Sequence, residues 1–127
     1  MMKPVTRMFD RARDAFSSFS RRGQDREVFL AGFLTLTARR RNSGEVITLM
    51  TNRMSARRVR FITPGHLILD EIVDVELPIA PGRRIITTAR VREVGPTAHG
   101  QLGVLELGAG REVREVLSVF LSAKKAS

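Results

Sequence analysis

The chain predicts a mainly β fold, a six-stranded antiparallel barrel with a C-terminal α-helix and a separate N-terminal amphipathic helix. Three observations lead there. From Val28 onward hydrophobic residues recur at every second position, the period of strands that bury one face. Pro-Gly, Gly-Pro and Asn-Ser-Gly breaks cut that stretch into short runs. Near the C-terminus the period changes to that of a helix, with Val113, Val116, Leu117, Phe120 and Leu121 on one stripe.

The elements follow in order. Residues 4–20 place Val5, Met8, Phe9, Ala12, Phe16 and Phe19 on one helical face, with Arg7, Asp10, Arg11 and Asp14 mostly on the other. Ser17, Ser18, Ser20 and Gly23 then end the helix in a linker. Val28 to Thr37 reads as the first strand, and residues 39–44 (RRRNSG) as a polar, solvent-exposed turn. Glu45 to Met50 is a second strand, and Val59 to Ile62 opens a third that Pro64-Gly65 breaks. In the fourth, Val73, Val75, Leu77 and Ile79 alternate with Asp74, Glu76 and Pro78. Asp70, Glu71, Asp74 and Glu76 read as the solvent side of that strand. Pro81-Gly82 turns into a fifth, from Arg84 to Glu93, which Gly95-Pro96 ends. Gln101 to Leu107 is the sixth. The expected organisation is an N-terminal helical appendage over 1–20, a barrel with its C-terminal helix over 21–123, and a tail over 124–127.

Composition narrows the function classes. At 127 residues, 43% of them hydrophobic, the chain makes one domain with a real core. A formal charge of +9 attracts polyanions: nucleotide, nucleic acid, anionic lipid or an acidic protein. Residues 1–41 hold ten Lys/Arg against four Asp/Glu, and a second basic cluster lies at Arg53, Arg57, Arg58 and Arg60. Because Arg58 and Arg60 alternate with Val59 and Phe61, they read as the outward side of a strand and extend a basic strip over the surface. There is no cysteine, hence no disulfide or thiolate site. No apolar run reaches spanning length and no secretory core opens the chain, so a soluble, cytoplasmic protein without a membrane span is expected.

Catalysis finds no foothold. His66 and His99 are the only histidines, and neither has a ligand set at metal spacing. No Walker lysine, nucleophile elbow or HExxH is present, and no enzyme, metal or cofactor is expected. Gly108-Ala109-Gly110 reads as a turn into the last helix rather than a phosphate nest.

One motif stands out, Arg22-Gly23-Gln24-Asp25-Arg26 immediately before the first strand. On residue type alone its arginines fit solvated linker charges. Set before a small barrel, they also fit a clamp for a phosphorylated, guanine-containing ligand, since a guanidinium bonds phosphate or the guanine O6/N7 edge bidentately. The pattern resembles a PilZ domain, the bacterial receptor module for cyclic di-GMP, over roughly Arg21 to Ala123. The resemblance rests on the RxxxR pair, on a counterpart of D/N-x-S-x-x-G after the second strand, on the Gly103-Val104-Leu105 strand and on the closing helix. The second motif is degenerate. Starting at Arg53, it keeps Ser55 but has Arg for the acid or amide and Arg58 for the glycine. Starting at Asn52, it keeps the amide but has Met54 for the serine and Arg57 for the glycine.

The resemblance implies a cyclic di-GMP receptor or adaptor used in signalling, with ligand held by Arg22, Arg26, Ser55, Arg53 and Arg58. Binding would order the Arg22–Arg26 segment on the barrel, shift the N-terminal helix and be read by a partner protein. The lost glycine matters if that position needs a left-handed backbone. An alternative keeps the fold without the ligand: a degenerate PilZ domain acting as a protein-interaction module. The N-terminal Phe/Met stripe is expected to pack on the barrel or to join two copies, rather than to enter a membrane. A nucleic-acid-binding barrel ranks last, because there is no Trp or Tyr and the seven Phe fall largely at core or helix positions.

Overall fold

A computed structural model describes residues 26–126. Six antiparallel strands close into a barrel: β1 (Val28–Arg40), β2 (Val46–Met54), β3 (Arg58–Thr63), β4 (Ile72–Ala80), β5 (Arg83–Thr97) and β6 (Gly100–Leu107). A helix, α1 (Arg111–Lys124), follows. Around the barrel the order is β1-β2-β3-β6-β5-β4, with β4 returning to β1. Closure gives every strand a partner on both sides over at least part of its length, which limits the edge open to other chains. The expected N-terminal helix lies outside the described residues.

The alternation seen in the sequence is the alternation of the wall. Leu36 and Ala38, Ile47 and Leu49, Val59 and Phe61, and Val73, Val75 and Leu77 all point into one core. Turn chemistry fits each hairpin. Gly44 (φ 75°) closes the β1–β2 turn, where its N–H donates to Arg40 O, and Gly82 (φ 73°) serves Pro81-Gly82 between β4 and β5. A 14-residue helix is marginal alone in water, and Leu117, Phe120 and Leu121 tie α1 to the core. Each such burial stabilises by about 1.5–3 kcal/mol. Beyond α1, Ala126 N–H donates to Phe29 O, so Lys125 and Ala126 lie along the start of β1.

The segment between β3 and β4 is held by a side chain. Leu67 is buried, and the Gln101 amide clasps its backbone: Oε1 accepts from Leu67 N–H at 2.7 Å and Nε2 donates to Leu67 O at 3.0 Å. Gly103 lies where β3 and β5 converge on β6, opposite Phe61 and Val94. A Cβ there would stand 2.0 Å from the Glu93 carbonyl oxygen, which is why a glycine occupies the position.

Three expectations are corrected. Gly95-Pro96 does not end the fifth strand, since both residues pair with β6 beyond the stretch of β5 that pairs with β4. The missing N–H of Pro96 therefore removes no bond from that second ladder. The arginines at 39–41 are not a merely solvated turn. Antiparallel closure of β1 on β4 brings Arg40 to Glu71 and Arg41 to Asp74, across more than thirty positions of sequence. Glu71, Asp74 and Glu76 are likewise engaged rather than simply solvated, Glu76 accepting from Thr37 Oγ1 across the closure at 3.4 Å and from Arg84 Nη1 in the β4–β5 hairpin at 2.8 Å.

Candidate functional site

The end of β2 is where the barrel departs most from regular pairing. Between Met50 and Arg53 the register with β3 slips at a bulge, and Asn52 lies in it. Thr51 Oγ1 supports the bulge by accepting from Arg53 N–H at 3.1 Å and donating to Arg53 O at 3.0 Å. Arg53 consequently stands opposite Phe29 on β1 and opposite Arg60 on β3. The Arg53 guanidinium carbon lies 4.7 Å from the centre of the Phe29 ring, a cation–π contact.

Like charges directly opposite on neighbouring strands repel, and an unpartnered buried guanidinium is costly. One acid contributes to meeting both costs. Glu27, in the segment immediately before β1, sets Oε1 2.7 Å from Arg60 Nε. Its Oε2 stands 3.2 Å from Arg53 Nε, an ion pair rather than an aligned hydrogen bond. Arg60 is fully buried, the Arg53 side chain is 4% exposed and that of Glu27 is 15% exposed. The bridge therefore operates where solvent screening is weak.

The loop after β2 is a serine-stabilised turn. Ser55 N–H donates to Arg58 O at 2.8 Å, while Ser55 Oγ accepts from Arg57 N–H at 3.1 Å and Arg58 N–H at 3.0 Å. This geometry corresponds to the register that begins at Arg53, in which Ser55 makes the turn while Met54 is buried in the core. Among the described residues Asp70 is the only non-glycine with positive φ. Arg58, at the glycine position of the motif, thus takes an ordinary backbone conformation. Its guanidinium approaches Glu106 across the β3–β6 ladder at 3.9 Å.

Of the expected ligand residues, Arg53, Ser55 and Arg58 come together at this end of the barrel. Arg26 is exposed and adjoins Glu27, which anchors it beside that group. Arg22 lies outside the described residues. The expected open basic strip is corrected. Arg60 has no exposure, Arg53 is buried, and Arg57 and Arg58 are half-buried, so these arginines do not form an open strip. Sequence reasoning missed Glu27, Phe29 and Arg60 as members of the site. The available signal was one acid set between RxxxR and the first strand. Among the described residues no group of three or more His, Asp or Glu could hold a metal ion, and no helix is long and apolar enough to cross a membrane.

A closed six-stranded antiparallel barrel, with an arginine-rich turn after β2 beside the segment entering β1 and one C-terminal helix, defines a small β-barrel domain. Its fold is that of PilZ domains. The chain is similar in structure to the PilZ domain with c-di-GMP of YcgR from Escherichia coli, with a TM-score of 0.62 and 8% identity over 81% of this chain and 91% of that one. It is also similar to the Bacillus subtilis inhibitor of motility MotI/DgrA, with a TM-score of 0.57 and 19% identity over 83% of this chain and 52% of that one. No protein-family profile and no curated protein sequence matches the chain.

Proposed function

We propose that this protein is a receptor for cyclic di-GMP that changes conformation on binding and signals to a partner protein. The observation that carries the proposal is the Glu27 bridge. It holds the segment bearing Arg26 against Arg53 of the second-motif turn, within a fold shared with a PilZ domain whose structure includes c-di-GMP. Arg22 and Arg26 engage phosphate and guanine edges from one side, and Arg53 and Arg58 add phosphate contacts from the other. Ser55 keeps the turn in shape for them. Ligand orders the Arg22–Arg26 segment on the barrel, and the partner reads that change.

Calorimetric titration of the full chain with cyclic di-GMP, with GTP as control, tests this. Saturable binding that GTP does not reproduce, weakened at least about tenfold by Arg22→Ala/Arg26→Ala, is the expected result. Equal affinity in that variant sinks the mechanism.

A second reading, a ligand-free adaptor, is favoured by a different observation. Phe29, Phe33 and Met50 are exposed on the β1–β2 side of the barrel, an apolar surface suited to a protein partner. No heat and no change in melting temperature with cyclic di-GMP would select it.

A further inference from the structure

We propose that the Arg53–Arg60 pair is a phosphate-binding site in its own right, whose occupant in the unliganded protein is the chain's own Glu27 carboxylate. The inference deepens the receptor reading and shares its location, because it concerns how that site is kept closed. Two arginines on adjacent strands stand in direct register, and a single carboxylate spans them with one oxygen toward each Nε, at 2.7 and 3.2 Å. Two oxygens of one phosphoryl group can span the same pair, and phosphate is the other anion that guanidinium forks bind bidentately. The Phe29 ring at 4.7 Å lies against one guanidinium and restricts its rotation, which prepares the site for an anion.

Glu27 is placed to leave. It precedes the first paired residue of β1, Val28, and its side chain retains some exposure, whereas Arg53 and Arg60 are fixed within strands. A phosphoryl group that takes its place keeps both guanidiniums paired with an anion. It also releases Glu27 from Arg53 and Arg60, so that the segment bearing Arg26 can re-order on the bound ligand. Anion exchange at Arg53 and Arg60 is thereby coupled to the position of Arg26, the neighbour of the displaced residue. The bound group is a phosphate mono- or diester, and the wild-type carboxylate competes with it.

The test is rescue of Glu27→Gln by inorganic phosphate. The glutamine preserves shape but removes the charge, so this variant should melt lower than wild type in chloride buffer. Millimolar phosphate at constant ionic strength should raise its melting temperature by about 4 °C or more beyond any rise in wild type. If Glu27→Gln is unfolded in chloride, recovery of its β-sheet circular dichroism with phosphate supports the site, and failure to recover overturns it. An equal phosphate response in wild type and variant also overturns it, as does a response that persists in Glu27→Gln/Arg53→Gln. A parallel cyclic di-GMP arm separates the two readings. Phosphate rescue with no cyclic di-GMP binding retains the anion site and removes the receptor. Cyclic di-GMP binding to wild type without phosphate rescue does the reverse.

Discussion

Arg40 and Glu71 form a two-pronged ion pair, with Nε donating to Oε2 at 2.8 Å and Nη2 to Oε1 at 3.1 Å. The pair joins the end of β1 to the residue before β4, at the seam where the barrel closes. Arg40 also donates to Glu45 Oε1 and His66 O, and Glu71 Oε1 accepts from Ile68 N–H. One guanidinium thus fixes a hairpin turn, the β3–β4 segment and the seam together.

Glu71→Gln should cost about 2 kcal/mol, the scale of hydrogen bonds to charged groups, measured by urea denaturation at neutral pH. Burial pushes the Glu71 carboxyl upward, but the Arg40 hydrogen bonds, the Ile68 amide and the Arg40 charge outweigh it and hold it below the usual carboxylate range. A depressed folded-state pKa contributes stability that is present above the unfolded value and lost as pH falls through the folded one. The gap between wild type and Glu71→Gln should therefore narrow progressively below about pH 4. A gap that stayed constant from neutral pH into acid would show that the carboxylate's charge plays no part.

Gly103→Ala should be severe for so small a change. The new methyl meets the Glu93 carbonyl oxygen at 2.0 Å and the Phe61 ring at 2.9 Å, and the first of these is backbone in a neighbouring strand. Overpacking of this kind costs about 1–3 kcal/mol, and rigid backbone places the expectation at the upper end. Thermal melts of the single variant check it, and an unchanged midpoint would mean that β5 yields freely where its register with β6 shifts, between Val91 and Glu93.

Ser55→Ala removes the acceptor of two backbone N–H groups in the turn that carries Arg57 and Arg58. The expected loss is about 1–2 kcal/mol. If the turn positions Arg58 for ligand, cyclic di-GMP affinity should also fall, while Ser55→Thr, which retains the hydroxyl, should bind more tightly than Ser55→Ala. Hydrogen exchange at Arg57 and Arg58 N–H provides the direct readout, with faster exchange in the alanine variant.

The barrel was legible in the sequence because each strand carries its own period-two signal, clearest in Val73, Val75 and Leu77, and because the turns carry Gly44 and Gly82. What periodicity conveys is the face on which a residue lies. It does not convey whether that face is covered, so Arg60 read as an outward residue although it has no exposure. Nor does it reveal partners distant in sequence: Arg40 with Glu71, and Arg60 with Glu27, meet only through strand closure and the entry of the chain into β1. Gly95-Pro96 misled for a local reason. The two residues are strong breakers, but they fall where β5 is paired on one side only, and there the cost of proline is small.

Arg53→Asp restores the acid that the resemblance has at this position, yet it should harm this chain. The new carboxylate would stand beside Glu27, turning an ion pair into a repulsion at a buried position, and the Phe29 ring would lose its guanidinium. Breaking a buried pair in this way costs on the order of 3 kcal/mol. The loss should be relieved by adding Glu27→Gln, because a neutral amide no longer repels the aspartate and can still donate to it. A double-mutant cycle by chemical denaturation measures the coupling, expected at about 1–3 kcal/mol in favour of the double variant over the sum of the singles. Additive losses would mean that Glu27 and Arg53 are neighbours without being partners. Coupled losses would mean that Glu27 and Arg53 act as one electrostatic unit, joining the turn after β2 to the segment that enters β1.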